Sequence, residues 1–448
     1  MSLLSIARRD TFRFGLLGLA ALSGATALTA CSGEPDVEPG VLGPGTDGIE
    51  LVSSDVKRVS GDPTVLEDVV VGLQALAGDL YGGIAAKPGN LVFSPYSVLV
   101  ALGMTLVGAA GKTADEMRDV LGVGDLGDRW HKGVNALTSY VDGLAGKQQR
   151  MDGSDAELAL ATANQLFGQK DVGWEAEFLD LIAKEYGAGL RAVDFKTASE
   201  EARVLINAWV EDQTRDRIVD LIPEGVLDDL TRLVLVNAIY LKAPWEQPFE
   251  KAATTKGKFT KDDGSTVDVD MMNKPDLSGG IVSAAGWRGV ILPYAGSRLA
   301  MTVVLPDQGK FAAVEASVVQ DGLGVLTPGG APAAINLTLP KWTFRTEAPL
   351  GDLLKEIGMP TAFIDGQADF TPMTDEDLPL HIAAVLHQGF IAVDEDGTEA
   401  AAATAVVMRT ESAVVAETFT VDRPFLFVIH DLDHNAPLFV GRVVDPSA

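Results

Sequence analysis

Residues Leu233 to Leu241 read LVLVNAIYL, an apolar run broken by a single asparagine. A strand of that composition has to be covered on both faces, so the chain must place layers above and below at least one sheet. Material for those layers is present. Residues 66–87, 174–187 and 199–213 carry apolar residues at helical spacing. Thr113-Ala-Asp-Glu116 has the pattern of a capping box and predicts a short helix that stops at Gly122. Ile335-Asn-Leu-Thr-Leu339 alternates with period two, as do parts of 299–305 and 424–430. Helices gather in the first half and strands in the second. That order predicts an α+β fold with mainly antiparallel sheets, not a doubly wound parallel one.

The chain has 448 residues and a net charge of −28. Such an acidic surface repels phosphate backbones, which excludes nucleic acid and heparin-like partners. Residues 1–30 read as a lipoprotein signal peptide: Arg8, Arg9 and Arg13, then an apolar run from Phe14 to Leu28. Small residues precede Cys31 in Leu28-Thr29-Ala30-Cys31, and Cys31 is the only cysteine. Cys31 is therefore the expected lipidation site and mature N-terminus. The expected location is the bacterial cell envelope, with Ser32 favouring the outer membrane. The paired arginines leave the export route, Sec or Tat, open. Residues 31–64 are rich in Gly, Pro and acids and predict a flexible tether, with one folded domain over 65–448.

Catalytic motifs are few. Gly122-Val-Gly124-Asp-Leu-Gly127 matches GxGxxG but follows a helix rather than a strand, so it reads as a loop. His430 and His434 could share a strand face near a metal, yet Asn435-Ala-Pro437 signals a turn. No nucleophile elbow, Walker loop or HExxH is present. No enzyme, cofactor or metal is expected.

Phe93-Ser94-Pro95-Tyr96-Ser97, Leu235-Val-Asn237-Ala-Ile-Tyr240-Leu-Lys242, Trp245-Glu-Gln-Pro-Phe249, Asp394-Glu-Asp-Gly-Thr-Glu-Ala400, Arg423-Pro-Phe-Leu-Phe427 and Leu438-Phe-Val-Gly-Arg442 together resemble serpins. The order and separations match from about residue 65 to the end. The resemblance implies three β-sheets, about nine helices and an exposed reactive-centre loop. It also implies irreversible suicide inhibition of serine, and sometimes cysteine, endopeptidases by a monomer that traps the protease covalently. The alternative is a non-inhibitory serpin-fold binding protein.

The loop that the resemblance assigns explains an otherwise odd segment, DEDGTEAAAATAVVMRTESAVV at 394–415. If the cut loop inserts as a strand, every second residue enters a core. From Thr398 these are Thr398, Ala400, Ala402, Thr404, Val406 and Met408, none charged and none proline. Glu399, Ala401, Ala403 and Arg409 fall on the other face. Gly397 supplies a hinge. The resemblance makes Glu395 the hinge acid with Lys341 as its partner, and Trp245 the aromatic at the breach where insertion starts. Ser94, Ser97, Asn237 and His387 match the polar shutter beneath the sheet. Gly389 follows Gln388 where a longer side chain is usual, and is expected to loosen its strand. Family spacing from Glu395 puts the scissile bond at Glu411-Ser412; a loop two residues shorter puts it at Arg409-Thr410.

Overall fold

The computed structural model describes residues 49–327, 329–398 and 416–448. The lipidation site Cys31, the hinge positions Glu399 to Thr404 and both candidate scissile bonds lie outside these residues. Among the described residues the chain forms eight α-helices and two hydrogen-bonded sheets.

The Leu233–Pro244 strand lies at the centre of the first sheet, which runs in the order Glu50–Val52, Leu190–Val193, Asp155–Gln169, Leu233–Pro244, Gly397–Thr398, Ala384–Val393, Trp342–Pro349. Its alternation explains why it is apolar throughout. Leu233, Leu235, Ile239, Leu241 and Ala243 join the main core, while Val234, Val236 and Ala238 join a second core on the opposite face. The main-core side packs against the helix Pro95–Val107, nearly all of which is buried. Ser94 caps that helix by accepting the Ser97 amide at 3.1 Å, and Pro95 occupies its first turn. The opposite face is covered by the helix Phe195–Gln213, capped by Asp194, with Trp209 edge-on to Phe167 at 5.4 Å.

The resemblance implied three sheets; the hydrogen bonds join the remaining strands into one. The cause is the strand Thr266–Ala284, long enough to pair with Thr255–Thr260 and Ala331–Pro340 and then to continue alongside Trp287–Pro293. Three expectations are corrected. The folded part reaches back past residue 65: Ile49 is buried, Glu50–Val52 pairs with Leu190–Val193, and the Val59 amide donates to the Lys184 carbonyl. Arg58 also bridges to Asn135 and Asp142, so the polar composition of 49–64 conceals a strap built on side-chain hydrogen bonds.

Thr113 and Glu116 do not form a capping box. The helix starts at Gly111 with Ala110 at its cap, and both side chains serve another segment: Thr113 accepts the Asp369 amide and Glu116 accepts from Thr361. Nor does Gly389 loosen its strand. The residue is paired on both sides, and a Cβ there would sit 2.5 Å from the Val92 carbonyl oxygen, so glycine is what lets the two backbones approach.

Candidate functional site at the head of the central sheet

The strands Leu233–Pro244 and Ala384–Val393 run parallel and bond directly from Val234↔Ala384 to Ile239↔Gly389. Beyond that point they part. Gly397 and Thr398 occupy the gap, antiparallel to both: Thr398 pairs with Val393 on one side and Ala243 on the other. The chain has thus turned back on itself and entered its own sheet by two residues.

The turn is held by residues that the resemblance picked out. Glu395 Oε2 lies 2.8 Å from Lys341 Nζ, and Glu395 Oε1 accepts from Thr254 at 2.7 Å. Burial opposes the Glu395 charge, but these two bonds outweigh it and hold the carboxyl below its usual range. Asp394 accepts the amides of Asp396 and Gly397; burial nevertheless pushes its pKa up. Trp245 is buried, donates its indole N–H to the Asp394 carbonyl at 3.0 Å, and stacks on Tyr294 with ring centroids 4.6 Å apart. The Tyr294 hydroxyl in turn lies 2.6 Å from the Thr398 hydroxyl. Gly397 has φ 156° and the Ala243 carbonyl at 2.3 Å from where a Cβ would be, so no other residue fits.

Below the gap, Ser94, Ser97, Asn237 and His387 form one buried cluster. The Ser94 amide donates to His387 Nε2 at 3.0 Å. An amide can only donate, so Nε2 accepts and the ring is neutral, with Nδ1–H directed at Asn237 Oδ1. The Asn237 amide donates to Asn164 Oδ1 at 2.8 Å, and the Ser97 hydroxyl donates to the same oxygen. Sequence reading missed Asn164, Tyr294, Thr254 and Lys251. Asn164 carried a readable signal, because it shares the parity of Leu158, Leu160 and Leu166 on its strand and so puts an amide where the core wants an apolar group. The other three lie on distant segments that only the fold brings to the turn.

His430 is the penultimate residue of the strand Phe425–Asp431. It is buried against the Thr302 hydroxyl at 2.8 Å, and Asp431 accepts the amides of Asp433, His434 and Ala436. The acid serves as the cap of the turn. Gly122, Gly124 and Gly127 all have positive φ in the loop after the Gly111–Val120 helix.

Three buried imidazoles give a pH dependence. Burial lowers His131, His387 and His430 to about 4. The unfolded chain takes up these protons below about 6.5. Between those values the unfolded state binds more protons, so stability is complete above about pH 6.5 and falls as pH drops toward 4. Each ring contributes up to about 3 kcal/mol to that loss. Urea unfolding at pH 7 and pH 4.5 should show the drop, and His387→Gln should remove the share due to that ring. An equal slope in His387→Gln would mean that the ring is not neutral in the fold.

The central sheet of this α+β fold is open at one end around a short return strand of its own chain. The sequence profile of the family described as Serpin (serine protease inhibitor) matches residues 72–446. An uncharacterized serpin-like protein of Thermococcus kodakarensis is 34% identical over 85% of this chain and 86% of its own. The human leukocyte elastase inhibitor is 33% identical over 80% of this chain and 93% of its own. The crystal structure of a thermophilic serpin, tengpin, in the native state superimposes with a TM-score of 0.76 at 25% identity, over 88% of this chain and 97% of that one. This chain belongs to the serpin family.

Proposed function

We propose that this protein is an irreversible suicide-substrate inhibitor of serine endopeptidases. The target's serine attacks the carbonyl of Glu411, the bond to Ser412 breaks, and the loop remains esterified to the protease. The freed strand then runs down between Leu233–Pro244 and Ala384–Val393 before water can release the ester. The observation that supports this reading is the two-residue strand Gly397–Thr398, already in register between those two strands.

Continuing that register residue by residue sends Ala400, Ala402, Thr404, Val406 and Met408 to the face of Thr398. It brings Thr404 level with His387 and Asn237, a pair already matched across the closed strands. A threonine hydroxyl can join that polar cluster where a leucine would orphan it. Insertion needs the six directly bonded pairs from Ala384–Val234 to Gly389–Ile239 to part. An inserted strand of some fourteen residues would carry the ester about 45 Å at the usual rise per residue. Distortion of the protease site by even about 1 Å costs on the order of a hundredfold in rate, so deacylation stalls.

The test is incubation with a panel of serine proteases that includes glutamyl-preferring, elastase-like, subtilisin-like and trypsin-like members, followed by denaturing electrophoresis. A covalent adduct at the summed mass supports the reading. Quantitative loop cleavage with full protease activity would overturn it and leave a non-inhibitory binding protein. Sequencing the released peptide decides between Glu411-Ser412 and Arg409-Thr410. We further propose that a lipid on Cys31 anchors the protein to the bacterial envelope, a reading supported by the basic and apolar run before Leu28-Thr29-Ala30-Cys31. Cys31→Ala should release it from the membrane fraction.

A further inference from the structure

The run Asp394-Glu395-Asp396 makes the turn that feeds Thr398 back into the sheet, and two lysines meet it from different segments. Lys341 takes Glu395. Lys251 opens the short turn Lys251–Ala253, and its Nζ lies 2.8 Å from Asp396 Oδ2. The Asp396 side chain is only 11% exposed, whereas that of Lys251 is 59% exposed. The backbone of Asp396 is committed on both sides. Its amide donates to the Asp394 carboxylate at 2.9 Å, and its carbonyl accepts the Trp245 amide at 3.0 Å. Any shift of Asp396 therefore moves the peptide that carries Gly397, which has no space to yield against Ala243. Residues on either side of Lys251–Ala253 grip the turn twice more, through the Phe249 amide on the Glu395 carbonyl and the Thr254 hydroxyl on the Glu395 carboxylate.

We infer that Lys251 is a positioning residue: its ion pair with Asp396 keeps Gly397–Thr398 docked in the gap, and so biases a cleaved loop toward insertion rather than release. This rests on the inhibitory reading above. The Lys341–Glu395 pair cannot do the same work alone. It anchors Glu395, two residues past the end of the outgoing strand and one position before Asp396, whose peptide turns into the gap.

The variants are Lys251→Ala, Lys251→Arg and the exchange Lys251→Asp with Asp396→Lys. Lys251 is largely exposed, so Lys251→Ala and Lys251→Arg remove no core packing, whereas the exchange also alters the nearly buried Asp396 and is checked for native thermal unfolding first. Two readouts are needed. The first is the ratio of cleaved to trapped inhibitor with an inhibited protease. The second is the rate at which a fluorescent synthetic peptide copying residues 398–409 anneals into the uncut protein. That rate rises when Thr398 vacates the gap, and it needs no protease. Lys251→Ala should raise both by about two- to fivefold at low ionic strength, the size expected of a half-exposed ion pair. The increase should shrink with added salt. Lys251→Arg and the charge exchange should restore both. An annealing rate unchanged in Lys251→Ala, or a cleaved-to-trapped ratio that moves without it, would overturn the role. If no protease is trapped at all, the inhibitory reading fails, while the annealing rate still reports separately on whether Lys251 docks the hinge.

Discussion

Thr398→Arg should turn the inhibitor into a substrate: the covalent adduct disappears on a denaturing gel and the protease recovers full activity after cutting the loop. Thr398 carries the first side chain to enter the gap. It is 3% exposed, and its hydroxyl is bonded to Tyr294 beside the stacked Trp245. An arginine there would carry a charge onto the buried face of the sheet, at a cost of several kcal/mol. Insertion competes with hydrolysis of the ester, so what matters is the barrier to insertion. About 2 kcal/mol on that barrier slows it roughly thirtyfold. Glu399→Arg is the internal control, since the next residue falls on the opposite face when the register of Thr398 is continued. Thr398→Ser should keep the adduct because the bond to Tyr294 survives. An adduct persisting in Thr398→Arg would mean that the strand enters in another register.

The parts of this architecture that are local in sequence could be read from it. LVLVNAIYL announced a strand with two covered faces, and the second core on Val234, Val236 and Ala238 is the physical content of that run. The alternation after Thr398 announced a segment fit for a sheet interior. What could not be read was which surfaces the turn would be tied to. Lys251, Thr254 and Tyr294 lie more than a hundred residues from Thr398 and carry no pattern of their own. The strap 49–64 was misjudged because its order comes from Arg58 and backbone pairing rather than from apolar spacing. Thr113 and Glu116 had the spacing of a cap, but tertiary partners at Asp369 and Thr361 took both side chains. Gly389 looked like a weak point in a strand, whereas the approach of Val92 makes it a packing requirement.

Cutting the loop without a target should raise the midpoint of thermal unfolding by roughly ten degrees or more. The uncut sheet holds one ladder across the site of insertion, the six pairs between Val234–Ile239 and Ala384–Gly389. Insertion breaks that ladder and builds two, one on each side of the new strand. The exchange leaves on the order of ten more backbone bonds than before, at about 0.5–1.5 kcal/mol net each. Burial of the small alternate side chains adds to this. A domain of this size shifts its midpoint by roughly 1 °C or slightly more per kcal/mol. Limited digestion within 405–415 by a protease that is not trapped, followed by calorimetry of cut and uncut material, measures the difference. Lys341, Lys251 and Trp245 hold residues 394–396, which precede Gly397, so insertion need not break these contacts. The gap in stability therefore reports the added strand rather than a rearranged hinge. Equal midpoints would mean that the native sheet holds no such reserve, and trapping by insertion would have no driving force.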